Sequence, residues 1–175
     1  MPRTERRRVL LILLVALQIV VLGGMAFTYA AAGWYGQQIV LKTAPVDPRD
    51  LFYGDYVILE YEISRLDVAL WTGGTGLPDA RDTVYVKLRR TSGGEGVYEA
   101  VEVSPSRPEA DENEAVLKGK VTYTGFNAIQ VRYGLERYYV QEGTGRALEE
   151  QREDMLVSVR IAPWGQARLM DLILP

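Results

Sequence analysis

An antiparallel β-barrel or sandwich with one short helix, preceded by a single N-terminal transmembrane helix, is the fold class this 175-residue sequence predicts. Three observations carry it. An uncharged apolar run fills residues 9–32. Beyond it the hydrophobic period changes from helical to alternating, the pattern of strands with one buried face. The alternating stretches are short and separated by turn residues, as in closed or stacked antiparallel sheets.

The run Val9–Ala32 reads VLLILLVALQIVVLGGMAFTYAAA, with Gln18 its one strongly polar side chain. About 20 apolar residues suffice to cross the hydrocarbon core of a bilayer. Tyr29, Trp34 and Tyr35 stand at the far end, where aromatic rings suit the interface. Arg3, Arg6, Arg7 and Arg8 lead the run, which predicts a cytoplasmic N-terminus and translocation of everything after Gly33. The organisation expected is a basic cytoplasmic tail over 1–8, a transmembrane anchor over 9–32 and an extracytoplasmic domain over 33–175. A cleaved signal peptide competes, because Ala30, Ala31 and Ala32 offer small residues at a cleavage position. The run is longer than the roughly 7–15 residues of a signal core, which favours the uncleaved anchor. A buried core helix fits worst, since such helices show a polar face and this one has none.

Strands are expected over Gln38–Thr43, Tyr56–Ile63, Thr83–Arg90, Val97–Val103, Ala115–Tyr123, Ala128–Tyr133, Glu136–Val140, Leu156–Ile161 and Ala167–Leu174. The clearest is Tyr56–Ile63, with Val57, Leu59, Tyr61 and Ile63 on one face and Tyr56, Ile58, Glu60 and Glu62 on the other. Thr83–Arg90 places Val84, Val86 and Leu88 inward, with Tyr85, Lys87 and Arg89 outward. Ser92-Gly93-Gly94-Glu95-Gly96 is a hairpin connection, since glycines supply positive φ. A helix is expected over Thr144–Asp154, capped by Thr144, with Ala147, Leu148 and Met155 on its apolar side. The segments 71–82 and 104–114, rich in glycine, proline or acids, read as mobile loops.

Composition removes several chemistries. The chain has no cysteine and no histidine. A disulfide, a thiol nucleophile, Ser-His-Asp catalysis and the usual Cys or His metal sites are therefore excluded. Proton transfer would fall to Asp, Glu, Tyr, Lys or water. Charge is uneven. Taking the first ten residues, with four arginines and one glutamate, from totals of 20 basic and 23 acidic leaves 16 and 22, a net of −6. Such a domain suits neither nucleic acid nor anionic lipid, which need a basic surface.

The stretch Ala44-Pro45-Val46-Asp47-Pro48-Arg49-Asp50-Leu51-Phe52-Tyr53-Gly54-Asp55-Tyr56 concentrates turn-forming and charged residues. It reads first as a rigid turn, with prolines fixing φ, Asp side chains accepting backbone amides and Arg49 pairing an acid. A cation site for Ca²⁺ or Mg²⁺ is the sharper alternative, though the spacing matches no EF-hand loop. No cofactor and no metal is expected.

Gly54-Asp55-Tyr56-Val57-Ile58-Leu59-Glu60-Tyr61 agrees with G-D-Y-x-x-L-x-Y at each of its five fixed positions. The chain thereby resembles the GDYXXLXY proteins, a family of bacterial membrane-anchored proteins of unknown function. Pro45-Val46-Asp47-Pro48-Arg49-Asp50-Leu51 looks like that family too, as does Tyr133-Gly134-Leu135-Glu136-Arg137-Tyr138-Tyr139-Val140 followed by Glu142-Gly143. Tyr53 departs from the arginine expected before Gly-Asp. The resemblance implies a bacterial cytoplasmic membrane location, no activity to transfer and a polytopic membrane protein as partner. Asp47, Arg49, Asp50, Gly54, Asp55, Tyr56, Leu59, Tyr61, Glu136, Arg137 and Tyr138 become the candidate binding or motif residues; none is assigned a catalytic role. Read physically, Tyr56 and Tyr61 point to opposite faces while Leu59 and Tyr61 share one. A turn, a core contact and a placed hydroxyl account for every fixed position.

Gly-Asp-x-Val behind an anchor is also similar to the Ser-Lys signal peptidases. The serine those enzymes carry before Gly-Asp falls at Val46 here, which leaves Lys87 nothing to activate, so a shared fold is the most the similarity implies. Three functional classes follow: a non-enzymatic accessory domain docking on a membrane or envelope protein, preferred; a hydrolase using a carboxylate pair among Asp47, Asp50, Asp55, Glu136 and Glu142; and a ligand-binding sheet face built on the 11 tyrosines. The glycine clusters at 73–76 and 143–145 lack the phosphate-loop endings and read as turns.

Overall fold

A computed structural model describes residues 3–44, 56–91, 96–139 and 155–173. It opens with a 33-residue helix, α1 (Arg3–Tyr35). At 1.5 Å per residue this is about 50 Å long, more than the roughly 30 Å hydrocarbon core. Its segment Glu5–Phe27 has a mean hydropathy of 2.8 and buries nothing against the rest of the chain. Leucines and valines from Val9 to Phe27 are each more than half exposed, so α1 is no core helix of a globule. It is long and apolar enough to cross a membrane.

Only Gly36 separates α1 from β1 (Gln37–Ala44). The remaining strands are β2 (Tyr56–Ile58), β3 (Glu60–Tyr61), β4 (Arg65–Asp67), β5 (Thr83–Arg90), β6 (Tyr98–Ser104), β7 (Glu114–Thr124), β8 (Ala128–Arg132), β9 (Arg137–Tyr139), β10 (Leu156–Ile161) and β11 (Ala167–Ile173). The fold is mostly β and its strands pair antiparallel. One sheet runs β11-β10-β1-β3, a second β4-β8-β7-β5-β6, and β2 pairs with β9. A parallel bridge from Val40 to Val97, just before β6, joins the two larger sheets. The amide of Lys118 on β7 donates to the carbonyl of Gly165 in the β10–β11 turn at 2.8 Å. The sheets thus curve into a nearly closed barrel.

Alternation explains the interior. Val84, Val86 and Leu88 on β5 are fully buried, together with Leu41, Val103, Leu117, Ile129, Val157 and Val159 from five other strands. Outside, Lys87 pairs with Glu102 at 3.4 Å and Arg89 with Glu114 at 2.8 Å. The Arg89 hydrogen bond, with the Asp111 amide, holds the Glu114 carboxyl below its ordinary range. A bulge between Val121 and Tyr123 leaves Thr122 unpaired in register, which bends β7 as barrel closure requires.

The expected strand Tyr56–Ile63 is corrected. It is two short strands and a 3-10 turn: β2 pairs with β9, β3 pairs with β1, and Glu62–Ser64 coils. Leu59, Tyr61 and Ile63 are nonetheless buried while Glu60 and Glu62 are exposed. Alternation reports which face is buried and not which strand is the neighbour, so the change of partner at Leu59 left no mark in the pattern. The 71–82 loop, expected to be mobile, is pinned: Trp71 Nε1 donates to the Gly76 carbonyl at 2.6 Å, Thr124 Oγ1 to Pro78 at 2.7 Å and the Arg81 amide to Val121 at 2.8 Å. The helix expected over Thr144–Asp154 and the turn residues 92–95 lie outside the described residues.

Gly119 is where β7 has no room for a side chain. A Cβ there would stand 2.3 Å from Val131 Cγ1 and 3.0 Å from the Tyr133 ring. Gly119→Val is expected to destabilise the domain by at least about 1–3 kcal/mol through overpacking, read from the midpoint of a denaturant titration. An unchanged midpoint would contradict this packing.

Candidate functional site

Two stretches distant in sequence, 56–61 and 133–139, meet on one side of the barrel. β2 and β9 pair Tyr56 with Tyr139, Val57 with Tyr138 and Ile58 with Arg137. The Leu59 amide then donates to the Glu136 carbonyl at 2.9 Å, continuing the contact past the last ladder pair. Beyond this point the chain crosses to β1, where Tyr61 pairs with Thr43.

Two tyrosine hydroxyls lock the crossing. Tyr61, 1% exposed, donates its hydroxyl to the Leu135 carbonyl at 2.9 Å. Tyr133, 8% exposed, donates to the Ile63 carbonyl at 2.6 Å. Tyr61 therefore sends its phenol into the backbone of the 133–139 stretch, and Tyr133 sends its own into the 3-10 turn that directly follows 56–61. Buried carbonyls demand such donors, because an unpaired one costs about 1–3 kcal/mol.

The turn between them is built by Gly134 and Glu136. Gly134 has φ +81°, a conformation that side chains resist. The Glu136 carboxylate accepts the amides of Tyr133 at 2.5 Å and Gly134 at 2.9 Å. It thus closes its own turn, as a capping carboxylate does.

Burial, and secondarily the negative charge of Glu136, push both phenols well above their ordinary range. They remain neutral donors and are unsuited to serve as bases near neutral pH. Because the folded-state values lie above the unfolded one, their contribution is intact below about pH 10 and declines as pH rises beyond it. Stability is expected to fall by up to about 1.4 kcal/mol per pH unit for each tyrosine above that point. Tyr61→Phe should flatten the slope measured by denaturant titration. An unchanged slope would contradict the burial of an ionisable hydroxyl there.

A groove of about 540 Å³ lies over this crossing, lined by Glu60, Ser64, Gln130, Arg132, Glu136 and Arg137 among others. Of the candidate residues, Leu59, Glu136 and Arg137 line it, Tyr61 lies in the core beneath, and Tyr138 packs half-buried against that core. Tyr56 enters through its backbone pairing. Asp47, Arg49, Asp50, Gly54 and Asp55 lie outside the described residues, as does Glu142. Among the described residues no three carboxylates gather in a way that could hold a metal ion. Tyr61, Tyr98 and Tyr133 are core residues, not a sheet-face platform.

The sequence reading paired Leu59 with Tyr61 but missed Tyr133, the reciprocal hydroxyl. Its signal was present: Tyr133 opens the same block as Glu136, and the alternation that ends β8 aims it inward.

A family model described as GDYXXLXY protein matches residues 18–172. None of the curated proteins and none of the solved structures compared matches the chain.

Proposed function

The chain belongs to the GDYXXLXY family, and from that premise we propose that it is a single-pass membrane protein whose β-domain is a non-catalytic accessory module docking on an envelope or polytopic membrane protein. The observation that carries the reading is the junction. An apolar helix whose segment Glu5–Phe27 has no buried residue leads into the first barrel strand with only Gly36 between them. A one-residue linker leaves the domain no reach, so its partners lie at the membrane surface. The arginines in the first turns of α1 support an orientation with the N-terminus in the cytoplasm and the domain on the far side of a bacterial inner membrane.

The family signature supports a scaffold role. Tyr61, Leu59, Tyr133 and Glu136 are engaged in packing, backbone bonds and a turn, which leaves them no proton to move. For docking, the β7–β8 hairpin displays Tyr123 and a fully exposed Phe126. Leu77, also exposed, neighbours Pro78, whose carbonyl Thr124 holds at 2.7 Å. Aromatic side chains presented this way are typical of protein-contact surfaces.

The test is co-purification of the intact chain in mild detergent with a photo-crosslinker at position 126. One membrane or envelope protein is expected to be captured, and Tyr123→Ser with Phe126→Ser should abolish the capture. A clean monomer, or capture that survives both substitutions, overturns the docking reading. A C-terminal reporter active in the cytoplasm overturns the topology.

A further inference from the structure

A second groove, of about 510 Å³, is lined by Lys118, Gly119, Lys120, Arg132, Tyr133, Gly134, Trp164 and Gln166. We propose that this groove is a membrane-facing site for the phosphate of an anionic phospholipid headgroup. The inference rests on the membrane-anchored reading.

Position is the first argument. β1 leaves α1 at Gln37 and runs away from the helix, so its antiparallel partner β10 runs back toward it and ends at Ile161, opposite Gln37. The β10–β11 hairpin tip therefore projects toward the membrane end of the domain. Trp164 sits on that tip, three residues past Ile161, which is within about 10 Å along an extended chain. Its indole donates to Gln166 Oε1 at 3.2 Å and the residue stays 41% exposed. An amphipathic tryptophan at this level suits a membrane interface. The cations follow directly, since the Lys118 amide is bonded to Gly165 in the same tip.

Charge is the second argument. Lys118 and Lys120 both face outward from β7, and Lys120 pairs in register with Arg132 on β8. Like charges directly opposed across a strand pair are destabilising. Yet among the described residues no carboxylate lines the groove and none of the three cations makes an ion pair. Glu136, in the same turn as Gly134, already accepts the Tyr133 and Gly134 amides. A bound phosphate would resolve the repulsion, and Lys and Arg are the side chains that recognise it. The whole-domain charge of −6 conceals this patch because its three cations come from two strands.

The full-length chain is reconstituted in nanodiscs of phosphatidylcholine alone and of phosphatidylcholine with phosphatidylglycerol. Amide hydrogen exchange is followed over 117–120 and 162–166, together with the part of the emission that Trp164→Phe removes. With phosphatidylglycerol, exchange in both segments should slow and the Trp164 emission should move to the blue. Each cation near an anionic surface contributes about fivefold, so Lys120→Gln with Arg132→Gln should weaken the effect on the order of twentyfold. No lipid dependence, or a dependence that survives both substitutions, overturns the proposal. Equal protection by inorganic phosphate in phosphatidylcholine discs overturns the lipid assignment in favour of a soluble phosphate. Failure of the chain to remain with the discs would overturn the anchored reading itself, and is read separately from their co-elution.

Discussion

Tyr61→Ala is expected to destabilise the domain by about 3–5 kcal/mol, the usual loss for a fully buried aromatic. Tyr61 is 1% exposed and among the largest fully buried side chains in the barrel. Its removal leaves a cavity between β1 and the 133–136 turn and strips the Leu135 carbonyl of its donor. Tyr61→Phe separates the two effects: it keeps the ring and removes the hydroxyl alone, and should cost about 1–3 kcal/mol. Denaturant titration of both variants checks the ordering. Equal losses would mean that the ring contributes nothing, and no loss would remove Tyr61 from the core.

Two arginines in the middle of α1, Leu14→Arg with Leu17→Arg, should release the chain from the membrane. Each costs about 2.5–3.5 kcal/mol at the centre of an inserting helix, about 5–7 kcal/mol together. Both positions are exposed, at 60% and 62%, and Leu17 lies about 27 Å along the helix from its junction with β1. The melting temperature of the β-domain should therefore not change. Fractionation of membranes and a thermal melt read the two outcomes. A chain that stays in the membrane, or a domain that melts lower, would contradict the anchor role of α1.

Elements with local signals were legible in the sequence. The apolar run Val9–Ala32 lies within α1, and the strand expected over Leu156–Ile161 has those bounds in the structure. Val84, Val86 and Leu88 face inward as their spacing required. Long-range choices were not legible. Nothing in Ile58-Leu59-Glu60 states that the chain leaves β9 for β1, because the same faces stay buried through the change. The phenol of Tyr133 reaches a carbonyl 70 residues away, a contact that no local period encodes. The cations of the second groove were hidden by an acidic total, since Lys118, Lys120 and Arg132 are brought together only by the pairing of β7 with β8. The motif residues Leu59 and Tyr61 could be read as a core pair, but their function as half of a reciprocal lock needed the other half in place.

That lock is tested most directly by a double-mutant cycle of Tyr61→Phe and Tyr133→Phe, measured by equilibrium denaturation. If the two hydroxyls close one crossing, the first removal loosens what the second holds, and the losses will fall short of additive by about 0.5–3 kcal/mol. Strict additivity, or a domain indifferent to both substitutions, would contradict the reading of the GDYXXLXY signature as a clasp between the 56–61 and 133–139 segments.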